Sequence, residues 1–106
     1  MEAERRSGPR VPTAVPLSWR SIRLETVEAQ SQGVMVDVSR GGCCVQLDDV
    51  PPMLGLGSVV EIELRTPAGA TTTRRGLVVA DPGADRRLHL ALRVSNDEED
   101  LVSLLA

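Results

Sequence analysis

Apolar and polar residues alternate with a period of two over most of the chain. Val34, Val36 and Val38 alternate with Met35 and Asp37, and Cys43, Val45 and Leu47 with Cys44 and Gln46. Val60, Ile62 and Leu64 alternate with Glu61, Glu63 and Arg65, and Leu88, Leu90, Leu92 and Val94 with His89, Ala91 and Arg93. Such runs mark half-buried antiparallel strands, because successive side chains leave a strand on opposite faces. Leu17, Trp19, Ile22 and Leu24 predict an earlier strand with a phase change near Arg20–Ser21, which suggests a bulge. A further strand begins near Thr71 and ends with Leu77 and Val79.

The breaks are equally legible. Residues 48–58 contain Pro51-Pro52 and two glycines and read as a long loop. Thr66-Pro67-Ala68-Gly69 and Asp81-Pro82-Gly83-Ala84-Asp85 read as turns. Six closely spaced strands predict an all-β fold, a small six-stranded antiparallel β-barrel. The end of the chain differs. Ser95-Asn96-Asp97-Glu98 has the Ser-x-x-Glu form of a capping box, and acidic residues 97–100 suit a first helical turn. Leu101, Leu104 and Leu105 share one face, so a short C-terminal helix is expected to lie on the barrel. Pro9 and Pro12 exclude a regular helix at the start. Residues 1–13 therefore read as a flexible loop that a ligand can order, and residues 14–106 as the barrel with its helix.

Composition narrows the function. The 106 residues suffice for one domain with a modest core. A net charge of −3 argues against a general binder of nucleic-acid polymers or anionic membranes. Trp19 is the only aromatic residue, which speaks against a nucleic-acid surface built on aromatic stacking platforms. No run approaches the roughly 20 apolar residues of a membrane span. The charged start, Met1-Glu2-Ala3-Glu4-Arg5, lacks a signal-peptide core, so a cytoplasmic location is expected. Cys43 and Cys44 are adjacent, which predicts one small core residue and one facing outward. No ligand pattern for zinc accompanies them. His89 has no nucleophile beside it in sequence and reads as an outward strand residue. Asp48-Asp49 reads as the end of a strand, and no hydrolase, zinc-protease or P-loop motif is present. The sequence assembles no base, nucleophile and oxyanion site, so no enzyme and no metal or cofactor is expected.

Two stretches remain. All twelve basic residues are arginine, each a planar fork able to grip phosphate or a base edge in two places. Arg5, Arg6 and Arg10 cluster in ERRSGPR, where Gly8 and Pro9 restrict the loop. A local cation surplus within an acidic chain suits a small anionic ligand. Guanidinium pairs with phosphate, and also with O6 and N7 of guanine, through parallel hydrogen bonds. In DVSRGG, Asp37 and Ser39 are two apart and leave a strand on one face. A carboxylate accepts from N1 and N2 of guanine, and a hydroxyl either donates or accepts. Gly41 and Gly42 permit a tight turn. Each stretch has an ordinary reading as well, the first as a solvated basic tail and the second as a hairpin with local hydrogen bonds.

Taken together, R-R-x-x-x-R followed by D-x-S-x-x-G resembles the signature of the PilZ domain family. The resemblance spans essentially the whole chain. It includes the strand entry Gly57-Ser58-Val59-Val60 and a closing helix. It implies a PilZ-like split barrel that binds the bacterial second messenger cyclic di-GMP. Arg5, Arg6 and Arg10 match the motif arginines, which contact phosphates and guanine edges in the family. Asp37 and Ser39 match the pair that holds a guanine on the barrel, and Gly42 the motif glycine. Arg40 falls at a variable position. The chain departs from the family in ending one strand with Val94 where an aromatic is frequent. The implied role is a non-enzymatic receptor whose ligand-driven ordering of residues 1–13 signals to a downstream protein or adjoining domain. The alternatives are an adaptor of the same fold without nucleotide and, least supported, a phosphodiesterase.

Overall fold

The periodic runs close on themselves. The computed structural model describes residues 10–93 and 99–105. It contains β1 (Val11–Arg23), β2 (Thr26–Ser39), β3 (Gly42–Leu47), β4 (Val59–Arg65), β5 (Thr71–Val78), β6 (Arg87–Leu92) and the helix α1 (Leu101–Leu105). The strands form a closed barrel in the order β1-β2-β3-β6-β5-β4, antiparallel at every junction. Closure leaves few strand edges open to water.

The core is filled from alternate positions. Leu17 and Trp19 come from β1, Met35 and Val38 from β2, and Cys43, Val45 and Leu47 from β3. Val60, Ile62 and Leu64 come from β4, Val78 from β5, and Leu88, Leu90 and Leu92 from β6. Leu54, in the long loop, and Leu101, in α1, plug the assembly. Removing this apolar surface from water, at about 25 cal/mol per Å², is the main force holding the barrel closed.

Three side-chain expectations need correction. Val34 does not face inward; it is exposed, and Met35 takes its place in the core. The cause is a bulge between Met35 and Asp37, which makes Val36 an extra residue and lets both Met35 and Val38 point inward. Leu24 is not a strand residue. It forms the β1–β2 turn with Glu25, at φ 53°, and is 90% exposed. Leu77 and Val79 are exposed while Val78 is buried, because Val78 pairs with the core residue Leu90.

The bulge expected in β1 near Arg20–Ser21 belongs instead to β2, where Glu28 is the extra residue opposite Ser21 and Ile22; β1 keeps its alternation, so that Ser21, and not Ile22, follows Leu17 and Trp19 inward. β1 starts at Val11, so residues 11–13 are strand although Pro12 lies among them. Pro12 and Pro16 pair with Asp37 and Val34 of β2, whereas β4 joins β1 only at Leu17. Proline is tolerated where a strand has a neighbour on one side.

The Ser95–Glu98 capping box and Val94 lie outside the described residues. Within them, Asp100 Oδ1 accepts from the Ser103 N–H at 2.9 Å, so Asp100 caps the helix. Leu101 is buried and Leu104 and Leu105 pack partly on the core, as their spacing indicated. Arg74 Nη2 donates to the Glu99 carbonyl at 2.9 Å and ties this end of the chain to β5.

Candidate functional site

The β2–β3 hairpin sits beside the start of β1. Val11 pairs with Val38 and Pro12 with Asp37, so Arg10 emerges next to the end of β2. Arg10 Nη1 donates to Asp37 Oδ1 at 2.5 Å. Their side chains remain 40% and 27% exposed, which leaves both accessible to a ligand. The bulge at Val36 has a direct consequence here. With Val38 turned into the core, Asp37 is turned outward.

Ser39 lies on the same outer face, but it is nearly covered, at 7% exposure. Its Oγ donates to the Gly42 carbonyl at 3.3 Å and braces the hairpin, while its lone pairs can still accept. Gly42 is fixed by packing. A Cβ there would lie 2.5 Å from the Leu90 carbonyl oxygen of β6. The glycine therefore permits close approach of β3 and β6 at the root of the hairpin. Arg40 is exposed at the hairpin tip. The structure thus brings Arg10, Asp37, Ser39 and Gly42 together on one rim. Arg5 and Arg6 lie outside the described residues.

Two neighbours escaped the sequence reading. Asp37 pairs with Cys44, and Cys44 with His89, so the three form a row across β2, β3 and β6. Nothing in the sequence signals such a row, because cross-strand register is a property of several segments at once. One cysteine faces the core, Cys43, as expected. Cys44 lies on the opposite side of β3 yet has only 1% exposure. Burial, with the nearby Cys44 and Asp37 adding to it, pushes the Cys43 thiol up to about 12. Burial, then the Asp37 charge, also raises Cys44, against the opposing effect of Arg87 and Arg10. Thiols held protonated are poor nucleophiles and poor metal ligands. Among the described residues, no three His, Cys, Asp or Glu side chains are grouped to hold a metal ion.

Other arginines have structural partners. Arg20 Nε and Arg75 Nε donate to the two oxygens of Glu61, at 2.6 and 3.2 Å. The Arg20 hydrogen bond is the main cause holding the Glu61 carboxyl below its ordinary value, with Arg75 assisting. Arg86 Nη1 donates to the Asp48 carbonyl and Arg87 Nε to Gln46 Oε1. These contacts staple the outer wall and the loops. They do not converge on the rim.

Two shallow grooves lie elsewhere, one beside Pro16, Gln32, Glu63 and Thr71, the other beside Leu24, Glu28, Met53 and Leu56. Neither includes Arg10, Asp37 or Ser39. No helix among the described residues is long and apolar enough to cross a membrane.

Comparison with known proteins agrees with this architecture. A solved structure described as the PilZ domain of CeSA from a cellulose-synthesizing bacterium superposes with a TM-score of 0.69. It is 20% identical, and the match covers 84% of each chain. Curated protein sequences yield no match. The PilZ domain family model matches residues 4–106. With a match over nearly its full length, and with the barrel and closing helix in place, the chain belongs to the PilZ domain family.

Proposed function

We propose that this protein is a non-catalytic receptor for cyclic di-GMP, seated on the rim formed by Arg10, Asp37 and Ser39. The observation that carries this reading is the Arg10–Asp37 contact, which joins the two motifs at one place on the barrel. PilZ domains are generally cyclic di-GMP-binding and regulatory modules. The chemistry of the rim suits that ligand. Asp37 supplies two acceptor oxygens for N1–H and N2–H of guanine, and Arg10 a fork for a phosphate or for the N7/O6 edge. Ser39 adds an acceptor. Gly42 keeps the hairpin root against β6 and acts through the backbone. Chain length alone holds Arg5 and Arg6 within about 18 Å of Arg10, near enough to close over the second guanine and the phosphates.

Signalling follows from charge. Three clustered guanidinium groups repel one another until an anion neutralises them. Ligand binding then gathers residues 1–10 against the rim and changes the surface offered to a protein partner or adjoining domain. Calorimetric titration with cyclic di-GMP, with GTP and cyclic GMP as controls, tests the reading. Saturable binding of cyclic di-GMP alone supports it, and the titration also fixes the stoichiometry.

One observation favours a second reading. The rim satisfies itself without nucleotide, through the Arg10–Asp37 pair and the Ser39–Gly42 bond. A PilZ-fold adaptor that uses these contacts only structurally would give no heat with any of the three nucleotides.

A further inference from the structure

Arg10 is not the only guanidinium beside the Asp37–Cys44–His89 row. Arg87 lies opposite Gln46 in the β3–β6 ladder, two residues along from Cys44↔His89 and on the same outer face. It is therefore a diagonal neighbour of Cys44, at the separation of ~7–8 Å that a long side chain can span. Its Nε donates to Gln46 Oε1 at 3.1 Å, a contact off the rim that holds the side chain on the wall between β6 and β3. Both Nη groups are without a partner among the described residues. Asp85 Oδ1 accepts from the Arg87 backbone N–H at 3.1 Å, but among the described residues no carboxylate forms an ion pair with the guanidinium.

Electrostatics brings the head of this side chain close to the rim. The rise of the Cys44 thiol is opposed by Arg87 first and by Arg10 second. Arg10 is the residue held against Asp37, which lies directly across from Cys44. Two guanidinium groups thus approach one covered thiol, Arg10 from the start of β1 and Arg87 from β6. The charge of the rim depends on the second. Arg10 and Asp37 neutralise each other, so that pair alone offers an anion no net attraction. Arg87 adds a positive charge with no ion-pair partner among the described residues.

We propose that Arg87 is a further binding residue of the rim and grips a phosphate of the nucleotide from β6. The inference rests on the cyclic di-GMP reading and extends it to a residue outside both motifs. Each phosphodiester of that ligand carries one negative charge and two free oxygens, which accept parallel bonds from a guanidinium fork. The Nε bond to Gln46 fixes the stem of the side chain, so less freedom is lost when the Nη groups engage. Composition cannot single out Arg87, because all twelve basic residues are arginine. Only the register of β6 on β3 sets it beside the rim.

Calorimetric titration of the 106-residue chain with cyclic di-GMP, at low and at high salt, tests the assignment. Arg87→Ala should weaken binding roughly tenfold at low salt, and less at high salt, where the charge is screened. Arg87→Lys keeps the charge without the fork and should fall between wild type and Arg87→Ala. Arg65→Ala removes an exposed charge from the end of β4, away from the rim, and should bind within about twofold of wild type. Thermal unfolding of each variant verifies that the barrel is retained. An Arg87→Ala variant that binds like wild type overturns the inference and leaves the cyclic di-GMP reading standing. So does an Arg87→Lys variant as weak as Arg87→Ala, or an Arg65→Ala variant that loses as much affinity. A wild-type chain that binds no cyclic di-GMP removes the reading and the inference together.

Discussion

Arg10 and Asp37, 27 positions apart in the chain, meet at 2.5 Å between Nη1 and Oδ1. The contact depends on two strand features. The β1–β2 register sets Val11 opposite Val38, and the bulge at Val36 turns Asp37 outward. Both side chains are partly exposed, and ion pairs of that kind contribute about 1 kcal/mol or less to stability. The pair is therefore weakly structural. Arg10→Ala is expected to change unfolding free energy by no more than about 1 kcal/mol. It should weaken cyclic di-GMP binding by about 2–4 kcal/mol, the scale of charge-assisted hydrogen bonds made and lost. Urea unfolding and calorimetry on the same variant separate the two effects. Unchanged affinity would remove Arg10 from the site.

Gly42 has a different role. Any side chain there drives a Cβ into the Leu90 carbonyl oxygen, at 2.5 Å, and that oxygen is a backbone atom that cannot swing aside. Gly42→Ala is expected to lose about 1–3 kcal/mol of stability, the cost of overpacking a fixed site. Chemical denaturation measures this directly. A variant as stable as wild type would mean that β3 and β6 can separate without cost.

Glu61 gives the barrel an acid-sensitive point. Arg20 and Arg75 depress its folded-state pKa below the model-peptide value. A depressed carboxylate pKa contributes stability above the unfolded-state value and loses it as pH falls through the folded-state value. Melting temperature should therefore drop as pH is lowered from about 5 into the acid range. In Glu61→Gln this part of the drop should be absent, so its melting curve against pH should be flatter. Parallel pH profiles for the two proteins would contradict this assignment.

The motifs made Arg10, Asp37, Ser39 and Gly42 legible as a set, because each residue type carries its chemistry in its side chain or, for Gly42, in lacking one. The strands were legible wherever strict alternation persists, as in β4 and β6. Bulges and register were harder to read. Val34 and Met35 exchange faces because an extra residue in β2 is decided by its pairing with β3, which no single run of sequence contains. Leu24 reads as a strand residue because nothing in Leu24-Glu25 resembles ordinary turn chemistry. The Asp37–Cys44–His89 row stayed hidden for the same reason as the bulge, since it joins three strands. The short helix was visible in Leu101, Leu104 and Leu105, but its cap is Asp100.

The most direct test of the account is amide chemical-shift mapping of the labelled protein during titration with cyclic di-GMP. The largest changes should fall at Arg10, at Asp37 to Gly42, and at the neighbouring Cys44 and His89. Changes confined to the groove beside Leu24, Met53 and Leu56, or no changes at saturating nucleotide, would contradict a ligand seated on the Arg10–Asp37 rim.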